Sequence, residues 1–157
     1  MRIALGADHA GFALKEKLVS FVAELGYEII DKGAFSYDKD DDYPDFIISA
    51  VRAVADDEAD RAIVVGSSGQ GEGMAANKVK GVRAAVYYGH KDHLPQTKKT
   101  GQQKGLIASA REDNDSNVLA IGASFVNEDE AKQAVKEWLE TPFSNEERHV
   151  RRIKKLD

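Results

Sequence analysis

The 157-residue sequence contains no cysteine, three prolines and a single tryptophan. Without a thiol the chain forms no disulfide, offers no cysteine nucleophile and holds no metal through sulfur. No apolar run approaches the roughly 20 residues of a membrane span. The opening MRIALGADHAG breaks after a short apolar stretch and carries no secretory pattern. The cytoplasm is therefore the expected compartment, with no membrane partner. An excess of positive charge is also missing: 22 Lys and Arg stand against 27 Asp and Glu, a formal net charge of −5. That argues against general nucleic-acid binding, yet a local basic patch can still face a small anion.

What remains is ordinary for a globular domain, 42% hydrophobic and 31% charged, and one domain over residues 1–157 is expected. Short apolar runs alternate with helical patterns. RIALGA (2–7), YEIID (27–31), AIVVG (62–66), VRAAVYY (82–88) and NVLAIGA (117–123) read as strands. Residues 12–26 place Leu14, Leu18, Phe21, Val22 and Leu25 on one helical face, and Gly26 stops them. Further helices are expected over 45–59 behind Pro44, from about Gly71 to Val79, over 106–112, over 128–140 and over 144–156. In the last, Ser144 and Glu147 have capping-box spacing. Residues 34–43 and 89–105 are polar and read as loops. Strand alternating with helix predicts an α/β fold, a five-stranded parallel sheet covered on both sides. Ligands of such sheets bind beyond the carboxyl ends of the strands, here Gly6-Ala7-Asp8-His9, Gly66 to Glu72, and the segment after Val86.

The stretch VVGSSGQGEGMAANKVKG (64–81) puts Glu72 among glycines at a strand-to-helix junction. No Gly-Lys-Ser/Thr follows, and Met74 spoils a dinucleotide fingerprint. A loop of small residues at a helix start can gather backbone N–H groups around an anion. Glu72 itself has two readings on these residues alone: a carboxylate complementing the helix dipole, or a catalytic base.

ADHAGFALKE (7–16), DYPDF (42–46), GSSGQGEGMAANKVKGVRAA (66–85), NDSNVLAIGA (114–123) and TPFSNEERHVRRIKKL (141–156) resemble the ribose-5-phosphate isomerase type B and galactose-6-phosphate isomerase subunit family. The resemblance spans nearly the whole chain in register. It implies a Rossmann-like three-layer α/β/α sandwich and a homodimer or dimer of dimers with its site between subunits. It further implies aldose–ketose isomerisation of a phosphorylated sugar through an enediol, with no metal and no cofactor. By the same resemblance Glu72 is the base. One branch of the family instead has a cysteine where Gly66 stands. Ser67, Ser68, Gly69, Gln70 and Gly71 would hold the enediolate oxygen. Asp8, His9, Tyr43 and Asn114 would contact the sugar phosphate, and Arg148 and Arg152 its phosphate.

Each of these residues also has a plain structural reading. Asp8 suits a turn or cap, His9 the surface, Tyr43 packing and Asn114 a polar turn. Arg148 and Arg152, at i,i+4 near Glu146 and Glu147, suit a solvated basic face. The sequence departs from the family in three places. Asp113 stands where the family has the histidine that opens the furanose ring, and an ordinary aspartate is a poor proton donor at neutral pH. Asp113 would take that catalytic role with a raised pKa; the alternatives are His90 or His93 from the long loop, or an enzyme that waits for the open-chain sugar. Ser124 replaces a phosphate-binding arginine, with Lys98 and Lys99 as substitutes for its charge. The loop 89–105 is longer than usual. The leading expectation is ribose 5-phosphate as substrate, with a hexose 6-phosphate or other sugar phosphate as the alternative, and a non-catalytic sugar-phosphate-binding protein as the reading of another class.

Overall fold

The computed structural model describes residues 1–89 and 105–156. The apolar runs form β1 (Arg2–Ala7), β2 (Glu28–Asp31), β3 (Arg61–Gly66), β4 (Ala84–Tyr87) and β5 (Val118–Gly122). They join in one parallel sheet of order β2-β1-β3-β5-β4. Between and after them lie α1 (Phe12–Glu24), α2 (Tyr43–Ala55), α3 (Gln70–Ala76), α4 (Leu106–Glu112), α5 (Glu128–Glu140) and α6 (Glu147–Ile153). The expected Rossmann-like sandwich is the fold observed.

Its two faces differ because side chains alternate along each strand. Ile3, Leu5, Ile63, Val65, Leu119 and Ile121 pack against Leu18 and Val22 of α1 and Val135 and Trp138 of α5. The opposite face is built from smaller residues, Ala4, Ala62, Val64 and Ala120, beneath Ile47, Ala50 and Val51 of α2. Small residues there let a helix come close. A Cβ on Gly6 would stand 2.9 Å from both the Ala50 Cβ and the Phe46 carbonyl oxygen. Lys15 lies beside the expected apolar stripe of α1 and is nonetheless fully buried. Its ammonium donates to both Asp31 oxygens at 2.8 and 2.9 Å and to the Ala34 carbonyl at 2.9 Å, pinning α1 to the end of β2.

Several boundaries differ from the sequence reading, each for a local reason. α2 stops at Ala55 because Asp57 turns into the left-handed region at φ 58, which aspartate tolerates. α3 stops at Ala76 because Asn77 is recruited by β4. Its amide donates to the Ala84 carbonyl at 3.1 Å and accepts from the Ala84 N–H at 2.9 Å. β4 starts only at Ala84, since the Arg83 N–H goes to the Asn117 side chain at 2.7 Å. The capping box does not form: α6 begins at Glu147 with Glu146 as its cap, and Ser144 Oγ accepts from the Glu146 N–H instead.

Candidate active site

From β1 the chain runs outward to β2, then crosses back to place β3 on the other side of β1. The connections leaving β1 and β3 therefore diverge, and a crevice opens at their carboxyl ends. Asp8 and His9 follow β1, and residues 67–72 follow β3.

Glu72 owes its position to Gly69. Gly69 caps α3 with φ +75, a conformation that favours glycine. After that turn the Glu72 side chain folds back over the end of β3, so that a Cβ added to Gly66 would overlap its carboxyl group. The residue is only 4% exposed. Its Oε2 is buried with no hydrogen-bond partner among the described residues. Burial pushes the Glu72 pKa up and the nearby Asp8 charge adds to the rise, while the backbone amides of Glu72 and Gly69 pull the other way. A carboxylate serving only the helix dipole would sit in solvent; this one faces inward.

Around it, Tyr43 opens α2 and lays its ring along the glycine loop, where a Cβ on Gly71 would stand 3.1 Å from the Tyr43 Cζ. Ser68 Oγ accepts from the Gln70 N–H at 3.2 Å. Ser67 Oγ lies 2.9 Å from Ser124 Oγ, so Ser124 ends up against the same loop. Asp8 does serve as a turn: its Oδ1 accepts from the Gly11 N–H at 3.0 Å. His9 is held by Asp41, whose Oδ1 accepts from the His9 backbone N–H at 3.0 Å and lies 2.6 Å from its Nδ1. Asp41 escaped the sequence reading because it is one of four aspartates in the polar run 38–42, where a solvated loop is the natural expectation. Only burial separates it from the others.

The remaining predicted residues lie elsewhere. Asp113 caps the carboxyl end of α4, and α4 runs antiparallel to the strands, so Asp113 and Asn114 sit beside the amino end of β5. β5 alone spans about 13 Å between that end and the end bearing the glycine loop. Asn114 donates to the Ser109 carbonyl at 3.1 Å and lines a groove of about 590 Å³ with Arg83, Val86, Leu106 and Leu156, along the sheet edge at β4. The buried His149 of α6 places its Nε2 3.4 Å from Asp113 Oδ1, an ion-pair distance without hydrogen-bond geometry. Through that contact α6, with Arg148 and Arg152, belongs to the Asp113 end. His149 is the only residue of α6 that is buried. Arg148 pairs with Glu146 at 2.7 Å, and both are exposed. The chain thus separates its predicted site residues into two groups at opposite ends of the sheet. His90, His93, Lys98 and Lys99 lie outside the described residues.

The comparisons with known proteins agree with one another. The family model described as Ribose/Galactose Isomerase matches residues 3–96 and 101–156. Ribose-5-phosphate isomerase B of Mycolicibacterium paratuberculosis is 41% identical over 153 residues, covering 98% of this chain and 87% of that one. The structure of Clostridium thermocellum ribose-5-phosphate isomerase B superposes with a TM-score of 0.86 at 37% identity, over 99% of this chain and 95% of its own. Ribose-5-phosphate isomerase B from Mycoplasma genitalium, solved with bound ribulose-5-phosphate, gives a TM-score of 0.83 at 32% identity, over 99% and 93%.

Proposed function

Because this chain belongs to the ribose/galactose isomerase family, we propose that it interconverts ribose 5-phosphate and ribulose 5-phosphate, with Glu72 as the base that moves a proton between C2 and C1. The enzyme is an aldose–ketose isomerase. The observation that carries the assignment of the base is the Glu72 carboxyl group itself, buried at the carboxyl end of β3 with one oxygen unpartnered among the described residues. A binding protein for an anionic sugar gains nothing from a desolvated carboxylate at that place, whereas proton abstraction from carbon needs a base more basic than a solvated glutamate.

In the open-chain aldose, Glu72 takes the C2 proton. The negative charge passes to the carbonyl oxygen, where those amides of residues 67–71 that are not already given to Glu72 or to Ser68 Oγ act as donors, and Ser68 Oγ stands beside them. The C2 hydroxyl proton passes to O1, which moves the negative charge to O2. Glu72 then returns the carbon proton to C1, and the C2–O2 bond becomes the ketose carbonyl. Asp8, His9 and Tyr43 bound the substrate on the same side. Asp113, Asn114, Arg148 and Arg152 cannot reach that substrate from their own chain. A second copy supplies them, so the working unit is a homodimer or dimer of dimers in the cytoplasm. Support comes from α6, which carries both arginines and buries only His149 in its own chain. Asp113, with His149 beside it, is the group offered to the sugar ring oxygen in place of the family histidine.

The substrate assignment is tested by comparing kcat/KM for ribose 5-phosphate and an aldohexose 6-phosphate at one pH. A pentose phosphate preference of at least about tenfold is expected, since one extra carbon shifts the phosphate by a full bond in a site that must grip both ends. Faster turnover of the hexose phosphate contradicts it.

The contact between Gly66 and Glu72 yields a second prediction. Gly66→Ala drives a methyl group into the space of the Glu72 carboxyl group, which is the flexible end of a side chain and swings away. The variant is expected to keep its fold by circular dichroism and to lose kcat by about 10²-fold or more, as expected for displacing a general base. Unchanged kcat would show that the carboxyl group need not lie over β3.

A further inference from the structure

The acidic run before α2 contains Asp38, Asp40, Asp41 and Asp42, and only the Asp41 side chain is buried, 8% exposed. A buried carboxylate needs compensation, and among the described residues the Asp41 side chain finds it in His9. One oxygen takes both the backbone N–H and the Nδ1 of His9, while the other lies buried without a partner among the described residues. The 2.6 Å separation from Nδ1 is in the short range of charge-assisted bonds. The Tyr37 ring stands edge-on to the imidazole at 6.4 Å between centroids.

We propose that Asp41 is a positioning residue: it fixes His9 as an imidazolium with Nδ1–H toward Asp41, leaving Nε2–H as a charged donor for the substrate phosphate. This rests on the isomerase reading for the identity of the anion. His9 follows β1 directly beside the crevice, and its side chain is 34% exposed, so one edge of the ring stays open to a ligand. The groups facing it are Asp41, Asp8, Asp38 and the Tyr37 ring. The hydrogen bond to Asp41 is the largest cause of a raised His9 pKa, burial opposes it, and Asp8 and Asp38 add to it. The consequence for function is a matter of charge. The crevice already holds the carboxylates of Asp8 and Glu72, and Ser124 adds none of the positive charge that an arginine would bring. A sugar phosphate dianion entering it is favoured by a cation on this side of the crevice, in addition to the arginines of the second copy, and His9, kept protonated by the neighbouring Asp41 charge, is that cation.

Asp8, His9 and Asp41 also present three donor atoms within 4.8 Å of one another, the count of a cation site. The geometry favours a proton instead. Two ligands of one metal ion do not approach as closely as Nδ1 and Asp41 Oδ1 do here, and Asp8 Oδ1 is already occupied by the Gly11 N–H.

The test is Asp41→Asn, which keeps an oxygen acceptor for both His9 donors and removes only the charge. The first readout needs no substrate: the His9 ring is titrated by nitrogen-detected NMR in wild type and variant. A wild-type midpoint above 6.5, the ordinary histidine value, with Nδ1 protonated, and a lower midpoint in Asp41→Asn, is expected. A wild-type midpoint at or below the ordinary value overturns the proposal even if the variant does not fold. The second readout is KM for ribose 5-phosphate against pH. In wild type KM rises as pH passes the raised midpoint, because the imidazolium is the binding form. In Asp41→Asn the rise begins at lower pH, giving a KM about tenfold higher near neutrality with kcat within about twofold. A KM change equal at every pH, or none, contradicts the proposal and indicates a merely structural contact. Should wild type fail to isomerise the sugar while the His9 midpoint still shifts and inorganic phosphate still binds only below it, the isomerase reading falls and the His9–Asp41 pair stands.

Discussion

Glu72→Gln is expected to lower kcat for ribose 5-phosphate by about 10²–10⁴, with KM within about threefold of wild type. Glutamine has the size of glutamate, so the loop and the Gly66 contact survive and only the base is lost. Two further observations separate this outcome from misfolding. The wild-type rate should fall as pH drops through the pKa of Glu72, and that acid limb should lie above the ordinary carboxylate range because burial, then Asp8, raise it. Stability should move the other way. A carboxyl group whose folded pKa exceeds its unfolded value of about 4.5 penalises the fold in its ionised form. That penalty is absent below the unfolded pKa, grows as pH rises through the folded one and is complete above it. Glu72→Gln removes it, so the variant should melt above wild type at pH 8, with the gain vanishing toward pH 4. An active site that stores a cost in its base behaves this way; a surface glutamate at a helix start would lose stability on the same change.

Two inactive variants, mixed, should recover activity. Glu72→Gln damages the glycine-loop end of the site, and a double change of Arg148 and Arg152 to alanine damages the end carried by α6. If each active site joins the loop end of one copy to the α6 end of another, random reassortment leaves both halves intact in about one site in four. Activity measured well below KM should then reach about a quarter of the wild-type value, whether the assembly is a dimer or a dimer of dimers. The two arginines alone should cost about 10²-fold or more in kcat/KM, since bidentate charge-assisted contacts to phosphate are strong. Were the site contained in one chain, mixing would give no more than the average of the two variants. The expectation follows from the separation of Asp113 and the α6 arginines from Glu72 along β5.

Much of this was legible in the residues. AIVVG reads as a buried strand because nothing polar interrupts it, and NVLAIGA reads as a strand; they give β3 (Arg61–Gly66) and β5 (Val118–Gly122). The sequence pattern over 128–140 matches α5 over its full length: three acids fill its first turn, and Asn127 caps it by accepting from the Glu130 N–H at 2.9 Å. Other features depend on contacts that no local pattern encodes. The AAVY of β4 is as apolar as β5, yet it forms the sheet edge while β5 lies inside, and only the crossover decides that. Lys15 reads as a surface residue until Asp31, from the far end of β2, arrives to pair with it. The same holds at the site. The spacing from Gly66 to Glu72 is visible in sequence, but the carboxyl group lies over Gly66 only because Gly69 turns left-handed between them. Asp41 was hidden by its neighbours, since charge in a run signals solvent and burial is a tertiary property. Ser144 and Glu147 show the reverse error, a local capping signal overridden when Asn145 turned to φ 56 and delayed the helix.

The central claim is that Glu72 carries a proton between two carbons. Its most direct measurement is the exchange of C1 hydrogen of ribulose 5-phosphate with deuterated water, followed by NMR in wild type and Glu72→Gln. The ketose 5-phosphate cannot close to a furanose, so ring opening plays no part. Wild type should place deuterium at C1 at a rate comparable to turnover, and Glu72→Gln should slow that exchange by the same factor as kcat. Exchange that persists at the wild-type rate in Glu72→Gln would mean that another group removes the proton.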